Sequence, residues 1–330
     1  MSYLRKTTAI LLIVLCLFTS FSFSSCKEGQ NQETTISDGK LHVTFVDVGN
    51  GDCITIKLPD GKILMIDCGE NLSFNQKAIS DTLKGYSATF IDYLVLTHPD
   101  NDHVGNAPWL VGCYPIKNAY IPNILDKRLY TQFNTAYNVM KENKTNVIYS
   151  DCYKRIDGGD YFIAFLSPLA TDGKSHSYYS EFNGFYQPNS KQINDLSPII
   201  YLQCMGIRMV FTGDASSIQE KLVIQNYLTG FYDQVFGKGK INLVGVDFLK
   251  LGHHGDDQSS SQEFLQILLP KNAVVSCGTA NPYGHPASST LDRLVGVNPT
   301  VNLYRTDLSG NVCVTASKNN NYNVTTSQTY

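Results

Sequence analysis

The chain places two histidines and two aspartates within six residues, in Thr97-His98-Pro99-Asp100-Asn101-Asp102-His103-Val104-Gly105. On a loop, side chains at 98, 100, 102 and 103 converge on a common point, and imidazole nitrogen with carboxylate oxygen suits Zn²⁺ and similar divalent ions. A helix N-cap would use only one of Asp100, Asn101 and Asp102 and leaves the doubled His/Asp spacing without a purpose. Five of the seven histidines fall in three loop motifs: His98 and His103 here, His253 and His254 in Gly252-His253-His254-Gly255, and His285 in Asn281-Pro282-Tyr283-Gly284-His285-Pro286. Thr212-Gly213-Asp214 adds a carboxylate. The candidate metal ligands are thus His98, Asp100, Asp102, His103, Asp214, His253 and His254. Spacing leaves open which of His253 and His254 binds.

The elements that must carry these loops are legible as hydrophobic periods. Leu41, Val43 and Phe45 alternate within residues 41–48, which predicts a strand. A turn at Gly49-Asn50-Gly51-Asp52, fixed by Asp47 and Asp52, leads to strands over 53–58 and 62–66 in a meander. A helix over 75–84 and a buried strand over 91–96 precede the ligand run, which therefore sits at a strand end, where scaffolds build sites. Strand 116–121, helix 131–142 and strand 161–166 follow, then an aperiodic polar loop over 175–194. Strands 198–205 and 207–211 run into Thr212-Gly213-Asp214 and a helix over 216–228; strand 246–251 runs into the His253-His254 pair. Helix 261–269, strand 273–276 and helix 288–294 come next, and 301–304 with 311–315 are expected to pair as a last hairpin. Both halves read as strands first, then strand–helix alternation. This predicts an α/β fold of four layers, αββα, with two sheets face to face and helices outside.

Composition sets outer limits. A net charge of -3 over 330 residues excludes a globally basic nucleic-acid binder, so a nuclease would need a local basic groove, for which Lys127, Arg128, Lys154 and Arg155 are the candidates. Arg5 and Lys6 precede an apolar run over 9–18 that is too short to span a bilayer. Phe23-Ser24-Ser25-Cys26 resembles the end of a bacterial lipoprotein signal, with Phe23 where an aliphatic residue is usual. The resemblance implies a signal peptide over 1–26, lipidation at Cys26, a polar tether over 27–40, a hydrolase domain over 41–330, and an exported protein held to a bacterial membrane by lipid. No protein partner is evident. Seven cysteines lie beyond Cys26, an odd number with no C-x-x-C pair, and read as free, small hydrophobes.

The ligand run is similar to the H-x-H-x-D-H motif of the metallo-β-lactamase fold superfamily, in the variant with Asp for the second His. With Asp47-Val48-Gly49-Asn50-Gly51-Asp52, Ile66-Asp67-Cys68-Gly69, Thr212 to Asp214, Gly252 to Gly255 and Tyr283 to Pro286, it resembles the hydrolase domain of ComEC-type DNA-uptake proteins over about residues 41–290. The resemblance implies the four-layer metallo-β-lactamase sandwich and a hydrolase using water activated by one or two ions, Zn²⁺ with Mn²⁺ as the rival. It assigns His98 and Asp100 to one ion, Asp102 and His103 to the other, and Asp214 to a bridge between them. One of the paired histidines would complete the second site. Asp67 would accept the outer N–H of a ligating histidine. Asp102 and His285 are the candidate catalytic residues, His285 at the rim donating to the leaving group or holding a phosphate. His42 and His176 are given no role. The chain departs from the superfamily where another histidine ligand is usual, at Asn194-Asp195-Leu196-Ser197, which admits a single-ion site. It also lacks the membrane helices of a complete uptake channel.

The expected activity is hydrolysis of a phosphodiester, with nucleic acid as substrate and partner. Two other readings stand beside it: a metallohydrolase of a small molecule (a phosphocholine-type ester, a lactam or a thioester), and a non-catalytic surface binding protein.

Overall fold

A computed structural model describes residues 36–124, 127–150, 152–169 and 193–328. The signal segment with Cys26, residues 27–35 of the tether, His176 and most of the 175–194 loop lie outside the described residues.

β1 (Leu41–Phe45), β2 (Ile54–Lys57) and β3 (Ile63–Ile66) form an antiparallel meander. The sheet continues in parallel through β4 (Ile91–Val95), β5 (Ile116–Ile121) and β6 (Asn146–Tyr149). Parallel neighbours need crossovers, and these are α1 (Ser73–Gly85), α2 (Asn101–Val104) with α3 (Ala107–Cys113), and α4 (Thr131–Glu142). The second sheet repeats the scheme. β7 (Arg155–Asp157), β8 (Tyr161–Phe165), β9 (Ile200–Cys204) and β10 (Ile207–Phe211) are antiparallel. β11 (Phe248–Lys250), β12 (Asn272–Val275) and β13 (Asn302–Arg305) then add in parallel. Their crossovers are α5 (Ser217–Leu228) with α6 (Phe231–Phe236), α7 (Gln262–Leu268) and α8 (Ser288–Val297). After α9 (Thr306–Ser309), β14 (Val312–Ser317) and β15 (Asn321–Thr326) return to the first sheet.

Three apolar layers make this a four-layer αββα sandwich. In β3, Leu64 and Ile66 face the space between the sheets while Ile63 and Met65 face the helices, as the two-residue period of a strand requires. Phe45, Ile56, Phe165, Leu202 and Phe211 fill the middle layer. Ile79, Leu110, Phe133 and Met140 close one outer layer; Val223, Phe236, Leu265 and Leu294 close the other. Each such buried side chain contributes about 1.5–3 kcal/mol. The seven described cysteines are thiols, and only Cys113 is exposed.

The expected last hairpin does not form. β13 lies on the edge of the second sheet, parallel to β12, whereas β14 pairs with β1 in the first, Leu41 opposite Ala316 and Phe45 opposite Val312. Gly310 at φ 61° redirects the chain between the sheets. The hairpin is β14 with β15, turned through Asn319 and Asn320 at positive φ. Hydrophobic periodicity does not reveal β6, β7, β15, α2, α3, α6 or α9, which are short, polar or without a clear period, and α2 carries Asp102 and His103, expected on a loop.

Candidate metal centre

Four loops leave β4, β10, β11 and β12 at their C-terminal ends and meet. The Asp214 carboxylate stands at the middle. His98 Nε2 lies 3.7 Å from it, His103 Nε2 3.2 Å, His253 Nε2 3.6 Å and His254 Nε2 3.7 Å. Asp102 Oδ2 lies 3.3 Å from His254 Nε2 and 4.0 Å from His103 Nε2, and the two imidazole nitrogens are 3.3 Å apart. Asp100 Oδ2 lies 3.7 Å from His98 Nε2. Ligands held at about 2.0–2.1 Å around a tetrahedral ion stand about 3.3 Å from one another. The observed separations are of that size.

The histidines are oriented from behind. Nδ1 of His103 lies 2.8 Å from Asp67 Oδ2, and Nδ1 of His254 lies 2.8 Å from the Ser276 carbonyl. The Thr97 hydroxyl donates to Asp67 Oδ2 at 2.6 Å, leaving its lone pairs toward His98 Nδ1 at 3.1 Å; Ser197 Oγ lies 3.2 Å from the same nitrogen. The outer nitrogens of His98, His103 and His254 are thus occupied and their Nε2 atoms turned inward, the arrangement that prepares imidazole for a metal.

Backbone conformation supplies the convergence. His253 and His254 both adopt left-handed φ, 48° and 55°, a costly state for non-glycine residues that persists where surrounding contacts enforce it. Consecutive left-handed residues splay the two rings to different places. His254 joins Asp102 and His103, whereas His253 stands by Asp214 and by Asn194 Nδ2, at 3.5 Å. Gly51 is required because a Cβ there would meet the Asp102 carbonyl at 2.2 Å, so the first turn can close against the ligand loop only without a side chain.

Protonation follows from burial and crowding. Burial, helped by neighbouring His103, lowers the His98 pKa to about 3, so its ring is neutral at neutral pH. Burial raises Asp100 to about 6. Burial alone would depress His103, but Asp214, Asp67 and Asp102 together hold it well above the ordinary value. Against its own burial, Asp214 is held well below the carboxylate range by His103, His254 and His253. The site is therefore a set of carboxylates balanced by imidazolium protons.

A divalent ion fits this set. His98 Nε2 is buried and has no hydrogen-bond partner, a costly state that coordination removes. His98, Asp100 and Asp214, with His253, would hold one ion, and Asp102, His103, His254 and Asp214 a second. His98, His103 and Asp214 form one close triplet, and Asp102, His103 and His254 another.

The sequence profile of the metallo-beta-lactamase superfamily matches residues 46–164. The chain is 28% identical over 289 residues to ComE operon protein 3 of Bacillus subtilis (strain 168), covering 82% of this chain and 32% of that protein. It is 27% identical over 277 residues to competence protein ComA of Neisseria gonorrhoeae, covering 83% of this chain and 32% of that one. The chain has the metallo-β-lactamase fold and is similar to ComEC-type competence proteins. The chain spans about a third of the length of these curated relatives. Among solved structures, the metallo-beta-lactamase fold protein YhfI of Bacillus subtilis aligns at 12% identity and a TM-score of 0.46, covering 80% of this chain and 96% of that one.

Within this metallo-β-lactamase fold, the other expected residues are placed as follows. His285 lines the cavity over the centre, its ring centroid 5.5 Å from that of His253 and its main chain clamped by Asn281, whose side chain donates to His285 O at 2.6 Å and accepts from His285 N at 2.9 Å. Asp47 fixes its turn by accepting from Gly49 N. His42 lies by Asp38 Oδ2 at 2.7 Å, away from the centre. Asp52 is more than a turn residue. It is buried, 2.5 Å from Lys250 Nζ and 3.7 Å from His254 Nδ1. Lys250 also donates to the Gly213 carbonyl at 3.1 Å. The signal for it was a lone lysine in the apolar run Val246-Asp247-Phe248-Leu249-Lys250-Leu251, just before the paired histidines. Ser197, in the stretch lacking a histidine, accepts from Asp214 N at 3.1 Å.

Proposed function

We propose that the protein is a metal-dependent phosphodiesterase acting on nucleic acid outside the cytoplasm, tethered by lipid at Cys26. One observation carries the hydrolase reading: four imidazole nitrogens turned onto the single buried carboxylate of Asp214 at 3.2–3.7 Å. A non-catalytic binding protein has no need to keep so many buried, mutually repelling groups aimed at one point.

A bound Zn²⁺ or Mn²⁺ supplies Lewis acidity and activates water near neutral pH. The protein's own groups do the rest. Asp67, Ser276 and Thr97 fix the imidazoles. Asp102, less buried than Asp214, faces the cavity; against its own burial His103 and His254 hold its carboxyl below the ordinary range, so it stays ionised and would orient the attacking water by accepting its hydrogen bond. Burial and the neighbouring His253 lower the pKa of His285, so its neutral ring donates an N–H hydrogen bond to the phosphoryl or leaving oxygen. The cavity, about 620 Å³, is of ligand size.

The small-molecule reading has one observation in its favour. None of Lys127, Arg128, Lys154 and Arg155 lines this cavity, and no lysine or arginine does so among the described residues. The full chain loaded with Zn²⁺ or Mn²⁺ is to be assayed on single-stranded DNA, duplex DNA, bis-p-nitrophenyl phosphate and a lactam, with Asp102→Ala and His103→Ala as controls. Hydrolysis of the phosphodiesters, lost in both variants, is expected. Cleavage of the lactam alone overturns the proposal.

A further inference from the structure

We infer that Tyr283 is the platform of a subsite for a planar aromatic group, such as an unpaired nucleobase, beside the metal centre; this rests on the phosphodiester reading above. The cavity lining is almost wholly polar. Its only apolar side chains among the described residues are Tyr283 and Ile218, exposed to 70% and 56%. A tyrosine so exposed contributes little to the core, and its hydroxyl bonds to no described side chain. Its ring instead lies nearly parallel to that of His285, at 17° and a centroid separation of 5.8 Å. His285 in turn stands 5.5 Å from His253. A run of rings therefore leads from the metal ligands outward to an open aromatic surface.

Charge narrows the ligand further. Asp100, Asp102, Asp195, Asp214 and Asp256 line the cavity and no lysine or arginine does so among the described residues. Among the described residues, a phosphodiester seated there meets no lysine or arginine. The uncharged part of the ligand can then add binding strength, and a π-face is what an exposed tyrosine offers. A base inside a duplex already has both faces stacked, so only an unpaired base can lie on Tyr283.

The test compares thymidine 5′-(p-nitrophenyl phosphate) with methyl p-nitrophenyl phosphate, using the Mn²⁺-loaded full chain and its Tyr283→Ala and Tyr283→Phe variants. Tyr283→Ala is expected to raise KM for the thymidine ester on the order of tenfold with kcat within about twofold, the size of one base–aromatic stack. Tyr283→Phe keeps the wild-type KM, and the methyl ester is indifferent to both changes. Binding gives an activity-free readout: thymidine 5′-monophosphate should bind Tyr283→Ala on the order of tenfold more weakly by calorimetry, and inorganic phosphate equally well. Equal losses on both esters would mean that Tyr283 only props His285, and unchanged KM would mean no subsite; either overturns the inference and leaves the phosphodiesterase standing. Hydrolysis of neither ester overturns both.

Discussion

Lys250 Nζ lies 2.5 Å from Asp52 Oδ2, with both side chains closed to solvent. The pair ties the β1–β2 turn to the strand that feeds the paired histidines, and Lys250 stands 4.0 Å from Asp214 Oδ1. Breaking a buried pair strands its partner's charge. Lys250→Met should therefore cost about 3–5 kcal/mol of stability, read as a fall in the denaturant midpoint at unchanged slope. A loss below about 1 kcal/mol would put the pair among the weak, solvated ones.

Histidines that serve different ions should fail separately. Under native mass spectrometry with Zn²⁺, His254→Ala is expected to lose the ion shared with Asp102 and His103 and keep the other; His253→Ala does the reverse, and Asp214→Asn weakens both. Asp67→Asn leaves every ligand in place but should weaken metal affinity about 10–100-fold by freeing the His103 ring. If His253→Ala leaves the stoichiometry intact, the left-handed pair does not divide its rings between ions.

Protons compete with metal here, and the direction follows from the shifts. Asp100, raised to about 6 by burial, binds a proton as pH falls below that value. His103, held protonated by Asp214, Asp67 and Asp102 against its burial, must release a proton on coordination. Metal affinity should accordingly rise with pH across the neutral range, with net proton release. Calorimetry in buffers of different ionisation enthalpy measures that release, and a value near zero would contradict the assignment of His103.

Glu220 gives a stability effect away from the metal. Its carboxylate accepts from the N–H groups of Ser260 and Ser261 at 2.6 and 2.8 Å, yet burial raises its pKa to about 7 from 4.5. The folded chain therefore holds this proton up to about pH 7, while the unfolded chain releases it near 4.5. Stability is greatest below the lower value and declines until the upper one is passed. Wild type should lose a few kcal/mol relative to Glu220→Gln over that interval. Paired thermal melts from pH 4 to pH 8 would show parallel curves if Glu220 did not titrate.

With no cationic lining among the described residues, oligonucleotide affinity should depend only weakly on salt. A slope of log K against log salt no steeper than about -1.4 is expected, two phosphates on a single strand. A slope several times steeper would place a basic track elsewhere on the surface.

The ligand loops were legible because histidine is rare in this chain and gathers at strand ends. The layers were legible because β3 and its neighbours keep a strict two-residue period. What spacing could not give was the division between His253 and His254, since adjacent residues separate only when the backbone turns left-handed. Nor could it pair Asp52 with Lys250, a contact made by tertiary closure alone. The last hairpin fails for the same reason: local order favours joining 301–304 to 311–315, but Val312, Val314 and Ala316 pack between the sheets while the β14 backbone pairs with β1.

That pairing has a consequence for biogenesis. Leu41 waits for Ala316, so β1 keeps one flank bare until β14 has been translated. Non-local closure of this kind makes folding slow, and an unsatisfied strand flank is a template for joining another chain. A nascent polypeptide of this architecture needs shelter along β1 until β14 emerges, and a stop codon near residue 310 would release an aggregation-prone product even though every metal ligand had already been made.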